Sequence, residues 1–206
     1  MYQPPAFVED RPDVLHAFIR EHPLGLLITA GDGGIVANPV PFQLVVEGEG
    51  VVLRAHLSRA NPQLADLDGG DCLVVFQGPH AYVSPSWYAA KAETHKVVPT
   101  WNYIVVQAHG RARRTDDAAW LRAQIEALTT THEAGRSEPW AVSDAPDAFI
   151  AAQLKGIVGV EIPVTRLEGK WKLSQNRNAA DRAGVTEGLR ADGQPEVAAA
   201  VAAASS

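Results

Sequence analysis

The sequence is short of most features that would announce a function. Its 206 residues hold one cysteine, Cys72, which excludes an intrachain disulfide and a cysteine-based metal cage. In the run Cys72-Leu73-Val74-Val75-Phe76 that thiol reads as a small buried apolar group. No apolar run approaches the length of a transmembrane helix, and Met1-Tyr2-Gln3-Pro4-Pro5 is no signal peptide, so a cytoplasmic protein is expected. A formal net charge of −6 is the wrong sign for gripping duplex DNA, although a local basic patch, or a dimer that concentrates one, stays open. No helix-turn-helix candidate carries a basic recognition face. His16, His22, His56, His80, His95, His109 and His132 are scattered, with none of the close pairings that zinc sites favour. No glycine-rich dinucleotide fingerprint links a strand to a helix, and no Gly-x-Ser-x-Gly elbow presents a nucleophile. Hydrolysis is poorly supported.

What is present is ordinary in bulk and unusual in one place. Hydrophobic residues make up 46% and charged residues 20%, enough for one well-buried domain. The unusual stretch is Phe76 to Tyr103, which gathers Tyr82, Trp87, Tyr88, Trp101 and Tyr103 with prolines, histidines and small polar residues. Those rings cover either the protein's own core, the commoner fate of aromatics on strands, or a flat ligand with polar edges.

Taken in order, Asp10 is placed to cap a helix running to Glu21, which His22-Pro23 stops. Leu24 to Thr29 reads as a buried strand, Gly31-Asp32-Gly33-Gly34 as a hairpin turn, and Ile35 to Val46 as a return strand. Pro39 and Pro41 each remove a ladder donor, so that strand should bulge or lie at an edge. Glu47-Gly48-Glu49-Gly50 turns the chain into a third strand, Val51 to Leu57, and Asn61-Pro62 opens a short helix to Leu67. Cys72 to Gln77 and His80 to Ser84 are read as two strands joined at Gly78-Pro79, and Trp101 to Arg114 as the longest extended run. Asp116 is expected to cap an amphipathic helix with Trp120, Leu121, Ile125 and Leu128 on one face. A helix at Ala148 to Leu154 precedes a strand at Ile157 to Val164. Past Arg177 the chain turns polar and then alanine-rich, with little to offer a core. Short strands, tight turns and inserted helices suggest a β-barrel with peripheral helices.

Three constellations could carry chemistry. His56-Leu57-Ser58-Arg59-Ala60-Asn61-Pro62, between a strand and a helix, offers the imidazole, hydroxyl, guanidinium and amide that suit a phosphate. An ordinary capping turn with a surface arginine explains it equally well. Val97 to Tyr103 places Trp101 and Asn102 beside a rigid proline. Gly169 to Arg177, with Lys172, Gln175 and Asn176, is a second basic and aromatic cluster, either a solvated chain end or a pocket wall.

Taken together, Leu24-Gly25-Leu26-Leu27, Asn38-Pro39-Val40-Pro41-Phe42, His56 to Pro62, Phe76 to Tyr88, Val97 to Tyr103 and Glu168 to Arg177 resemble the PaiB-type family, described as FMN-binding negative transcriptional regulators. The resemblance implies a mainly β fold with peripheral α-helices, a split β-barrel of the flavin-reductase and pyridoxamine-oxidase type, over residues 1–189, with 190–206 as an alanine-rich tail. It implies FMN as cofactor, in a groove between the subunits of a homodimer. Ser58 and Arg59 would grip the phosphate with His56 and Asn61 helping, and the backbone of Asn38, Pro39 and Val40 would run along the flavin edge. Lys172, Gln175 and Asn176 would come from the other subunit, with Trp101 and Asn102 as further contacts. Leu64, Ala89 and Arg54 depart from the family pattern, where an aromatic, a proline and a glycine are expected. The implied function is a flavin-linked regulatory or redox-sensing protein; the alternative is an FMN-dependent oxidoreductase using a reduced nicotinamide-type donor. Direct DNA binding is unsupported by the charge.

Overall fold

The computed structural model describes residues 1–48 and 50–204. The turn expected at Glu47 to Gly50 therefore includes one residue, Glu49, outside the described set. The chain forms two compact units. Unit one comprises Met1–Phe18, Phe76–Gln107 and the described residues from Glu168 onward; unit two comprises Ile19–Val75 and Ala108–Leu167.

Unit two is built on β2 (Leu24–Gly31), β3 (Gly34–Pro41), β4 (Gln43–Glu47) and β5 (Gly50–Ser58), after β1 (Val8–Glu9) and α1 (Pro12–Glu21) have opened the chain. It also takes parts of β6 (Asp71–Val83), β7 (Thr100–Arg111) and β9 (Ile157–Lys172), and the short β8 (Arg113–Thr115). Hydrogen bonding runs in the order β3-β2-β6-β7-β9-β5-β4, with β1 and β8 also pairing β9. The β2–β3 hairpin closes at Gly31↔Gly34, and Gly34 takes a φ of 99° that an L side chain resists. The chain breaks out of pairing at Phe42, between β3 and β4, and β3 ends the strand order. Both outcomes follow from prolines that cannot donate to a ladder.

Leu27, Leu53, Leu67, Val74, Val160 and Ile162 are fully buried in this unit, and each stabilises it by roughly 1.5–3 kcal/mol. A satellite cluster of Leu121, Val142, Ile150 and Leu154 joins α3 (Ala118–Glu133) to α4 (Asp147–Leu154). In unit one, α2 (Ala90–Thr94), α5 (Ala179–Ala191) and α6 (Pro195–Ala203) accompany the strand segments. Among the described residues no helix is long and apolar enough to cross a membrane.

Several expectations are corrected. The first helix begins at Pro12, with Leu15 N–H bonded to the Arg11 carbonyl, because proline's fixed φ suits the first helical position; Asp10 is not the cap. The Leu24 strand is only half buried, with Leu24 65% and Leu26 38% exposed on one face. Gly78-Pro79 does not divide a strand: β6 runs through it, since proline and the residue before it are both compatible with extended backbone. The longest strand is β9. The α3 cap is Asp117, whose carboxylate accepts from Ala119 and Trp120 N–H, and this frees Asp116 for another partner. The alanine-rich end does contribute core, with Val197, Ala198 and Val201 buried on α6.

Candidate functional site

The expected site residues fall into two sets, one in each unit. In unit two, β5 carries His56 and ends at Ser58, paired through Leu57↔Val158 and Ser58↔Ile157. The loop that follows is tied down by its own backbone: Arg59 N–H donates to Gly156 O at 2.8 Å and Asn61 N–H to Ser58 O at 2.9 Å. Asn61 then caps the 3-10 turn Pro62–Asp66, its Oδ1 accepting from Gln63 N–H. His56 is half-buried, with Nδ1 2.8 Å from Gln124 Oε1. With the amide oxygen facing the ring, Nδ1 donates and Nε2 is left as the basic nitrogen.

Arg59 is partly committed. Its Nε donates to Lys155 O at 3.0 Å, and Nη2 donates to Ile157 O at 3.0 Å and Asp116 Oδ1 at 2.6 Å. Half the Arg59 side chain and most of Asp116 face solvent, so this pair orients the guanidinium more than it stabilises the fold. Arg59 Nη1, the Ser58 hydroxyl hydrogen and the Asn61 amide NH₂ have no partner among the described residues. Within four consecutive residues that leaves the mix of charged and neutral donors a phosphate calls for.

Asn38 sits half-buried on the terminal strand β3, its Nδ2 donating to Gln63 Oε1 at 2.9 Å. Pro39 is exposed and Val40 points into the core at 2% exposure. Gln63 was not expected in the site, yet it is fully buried and donates to Leu27 O and Thr29 Oγ1 as well. A glutamine following Asn-Pro was the available signal, but nothing in the pattern says where its amide goes.

In unit one, Asn102, Lys172 and Asn176 meet around a cavity of about 100 Å³, together with Tyr88, Ser174 and Arg177. Asn102 is fully buried and its amide holds the Ser174 hydroxyl at 3.0 Å. Ser174 itself is buried in left-handed backbone at φ 66°, a conformation that costs energy for a serine and that this contact helps to fix. Lys172 Nζ donates to Thr100 Oγ1 and Trp101 O. Burial, and then the neighbouring Lys170 and Arg177 charges, hold the Lys172 ammonium below the ordinary lysine range. Gln175 folds onto its own loop, accepting from Leu173 N–H at 2.7 Å and donating to Trp171 O at 2.6 Å. Trp101 stands 52% exposed, near Tyr82 and His80, away from that cavity.

Two further members of this cavity, Tyr88 and Arg177, lie in stretches read as possible pocket wall but were not named as contacts. Tyr88 is 3% exposed and its buried hydroxyl has no partner among the described residues. The Arg177 guanidinium carbon lies 4.6 Å above the Tyr88 ring, a cation–π arrangement. Tyr88 is positioned by its neighbour Trp87, against which α5 seats at Gly184 and Gly188: a Cβ at Gly184 would come within 2.0 Å of Trp87 O, and one at Gly188 within 2.3 Å of the indole. The departing residue Arg54 bonds Glu47 and Glu161 and lies over Trp120, so the fold has absorbed it.

Comparison with known proteins shows the family. A family model described as "Putative FMN-binding domain" matches residues 1–166. Along most of its length the chain is also 32% identical to the protease synthase and sporulation protein PAI 2 of Bacillus subtilis, over 95% of this chain and 92% of that one. The chain belongs to the PaiB-type FMN-binding family. An uncharacterised protein of Emericella nidulans is similar at 36% identity, covering 92% of this chain and 90% of the relative. Among solved structures, the flavocytochrome Anf3 of Azotobacter vinelandii superposes with a TM-score of 0.59 at 16% identity, over 86% of this chain and 75% of that one. The FAD and heme binding protein of Mycobacterium smegmatis does so with a TM-score of 0.59 at 20% identity, over 85% of this chain and 78% of that one. At such identities these likenesses speak for the fold, a split β-barrel with peripheral helices. The family's cofactor is FMN, and the unspent donors at Ser58, Arg59 and Asn61 fit its phosphate.

Proposed function

We propose that the chain is a flavin-linked regulatory protein that works as a cytoplasmic homodimer, with FMN in a groove between the subunits. The observation that carries this reading is the preformed loop with unspent donors at Ser58, Arg59 and Asn61, in a chain of an FMN-binding family. Ser58 and Arg59 hold the phosphate, with His56 and Asn61 beside them. Asn38, Pro39 and Val40 present edge backbone to the flavin ring, where a terminal strand leaves alternate peptide groups unpaired. Trp101, Lys172 and Asn176 come from the second subunit, while Asn102 on β7 and Gln175, both spent on internal bonds, act by fixing the turn that follows β9. FMN supplies the redox chemistry; the protein binds it, orients it and tunes its potential.

The regulatory half of the proposal is supported by the name of the Bacillus subtilis relative, and the net charge of −6 weighs against direct contact with DNA. The dimer is supported by the apolar face at Leu24, Leu26 and Ile35, exposed by 65%, 38% and 79%. The test is the visible spectrum and the melting curve of the purified protein before and after adding FMN. Saturation at about 100 times Kd should stabilise the fold by roughly 2.7 kcal/mol, which raises Tm by roughly 5–10 °C in a chain of this size. A colourless protein whose melting ignores FMN sinks the reading. Rapid bleaching of the flavin band by NADH or NADPH under anaerobic conditions would favour an oxidoreductase instead.

A further inference from the structure

The cavity beside Lys172 is cationic, small and furnished with an idle donor. Lys172 and Arg177 line it, and Lys170, itself 7% exposed, is close enough to disfavour the charge on Lys172. Among the described residues no carboxylate forms an ion pair with any of these three cations. Elsewhere in the chain a partly buried cation is compensated, as Arg54 is by Glu47 and Glu161. Uncompensated positive charge in a partly buried place is costly unless something negative arrives.

The donors are available. Arg177 meets the Tyr88 ring with its flat face and makes no side-chain hydrogen bond among the described residues, so its N–H edge is unspent. Lys172 gives hydrogens to Thr100 Oγ1 and Trp101 O and keeps one. Tyr88 lines the cavity, and its hydroxyl is buried with no partner among the described residues. These groups are held in place rather than loosely gathered: Trp87 is locked against α5, Ser174 is tied to Asn102, and Gln175 braces the turn.

We propose that this cavity binds a phosphate-type oxyanion, with the Tyr88 hydroxyl, one Lys172 N–H and the Arg177 guanidinium edge as its donors. About 100 Å³ admits one tetrahedral oxyanion and is well below the roughly 300–1,000 Å³ that encloses a whole drug-sized ligand. Lys172, Ser174, Asn176 and Arg177 lie beyond residues 1–166, the span the family model matches. The donors belong to unit one and none belongs to the Ser58–Asn61 loop, while Lys172 is shared with the proposed flavin contacts, so the titration is run with and without FMN.

The test is calorimetric titration of the full-length protein with orthophosphate, in a buffer free of other oxyanions, before and after saturation with FMN. Saturable binding is expected in the flavin-free protein. Lys172→Met and Arg177→Gln should each weaken it by about tenfold, and Tyr88→Phe by about three- to fivefold, since charged donors outweigh a neutral one. Tyr88→Phe keeps the ring beneath Arg177, so without phosphate its melting temperature should match or exceed the parent's; a fall would mean that the hydroxyl serves the fold. Orthophosphate binding that persists with FMN bound assigns the site to a second, phosphate-bearing ligand. Binding that FMN abolishes and riboflavin does not assigns it to the flavin's own phosphate. No binding, or binding that all three variants leave intact, overturns the proposal. The flavin reading fails separately, through the spectrum.

Discussion

Replacing Gln63 with leucine should loosen β3, the proposed flavin-edge strand, without disturbing the core's volume. The side chain is fully buried and joins β2, β3 and the 3-10 turn Pro62–Asp66. Its Nε2 donates to Leu27 O at 3.1 Å and Thr29 Oγ1 at 3.2 Å, and its Oε1 accepts from Asn38 at 2.9 Å. Thr29 keeps a contact to Asp66 Oδ2 at 3.3 Å, so the main groups that lose this partner are Leu27 O and the Asn38 amide, with the longer 3.4 Å contact to Val36 O a lesser loss. Each such loss costs about 1–3 kcal/mol, and burying leucine in place of glutamine offsets about 1–2 kcal/mol. The net loss is about 2–3 kcal/mol, or roughly 5–10 °C in Tm for a chain of this length. Differential scanning calorimetry and urea melts measure it. FMN titration should show Kd rising about fivefold, a little under 1 kcal/mol, because Asn38 has lost its anchor. In a double-mutant cycle, Gln63→Leu and Asn38→Ala should couple by about 1 kcal/mol. A Gln63→Leu protein that melts within about 1 °C of its parent, with an unchanged urea midpoint, would refute the claim that this amide organises the hairpin.

Gly184→Ala gains about 1 kcal/mol of helix propensity but drives a methyl to 2.0 Å from Trp87 O, a backbone atom that cannot swing aside. Overpacking of that kind costs about 1–3 kcal/mol or more, so Tm should fall, whereas Gly135→Ala, meeting nothing within 4 Å, should not lower it. Cys72 is buried and its thiol is pushed up to about 11 by desolvation. Alkylation by iodoacetamide at pH 8 should therefore run about a hundredfold slower than for an unperturbed thiol. Because the folded-state value is raised, the same group favours the folded state below about pH 9 and loses that contribution as pH climbs toward 11. Fast labelling at pH 8 would show that the strand opens or that the thiol is not buried.

Local sequence carried the reading where the physics is local. The prolines at 39 and 41 put β3 at a sheet edge, since a missing N–H cannot be supplied by any neighbour. The Asn61-Pro62 pair opened its turn, and the Gly31 to Gly34 run closed its hairpin. Cap positions drifted by one or two residues at Asp116 and Asp10, because a carboxylate's partner depends on where the preceding strand delivers it. Helix α5 passed unrecognised, since its apolar stripe is interrupted by the glycines that let it meet Trp87.

The sequence by itself settled the family, the edge strand and the residue types at the Ser58–Asn61 loop, all matters of short-range chemistry. Tertiary structure alone decided which donors there are already spent, and that Tyr88, Lys172 and Arg177, up to 89 positions apart, share one cationic cavity. Whether a charge is compensated is a property of three-dimensional neighbours, and no pattern along the chain records the carboxylate that is missing.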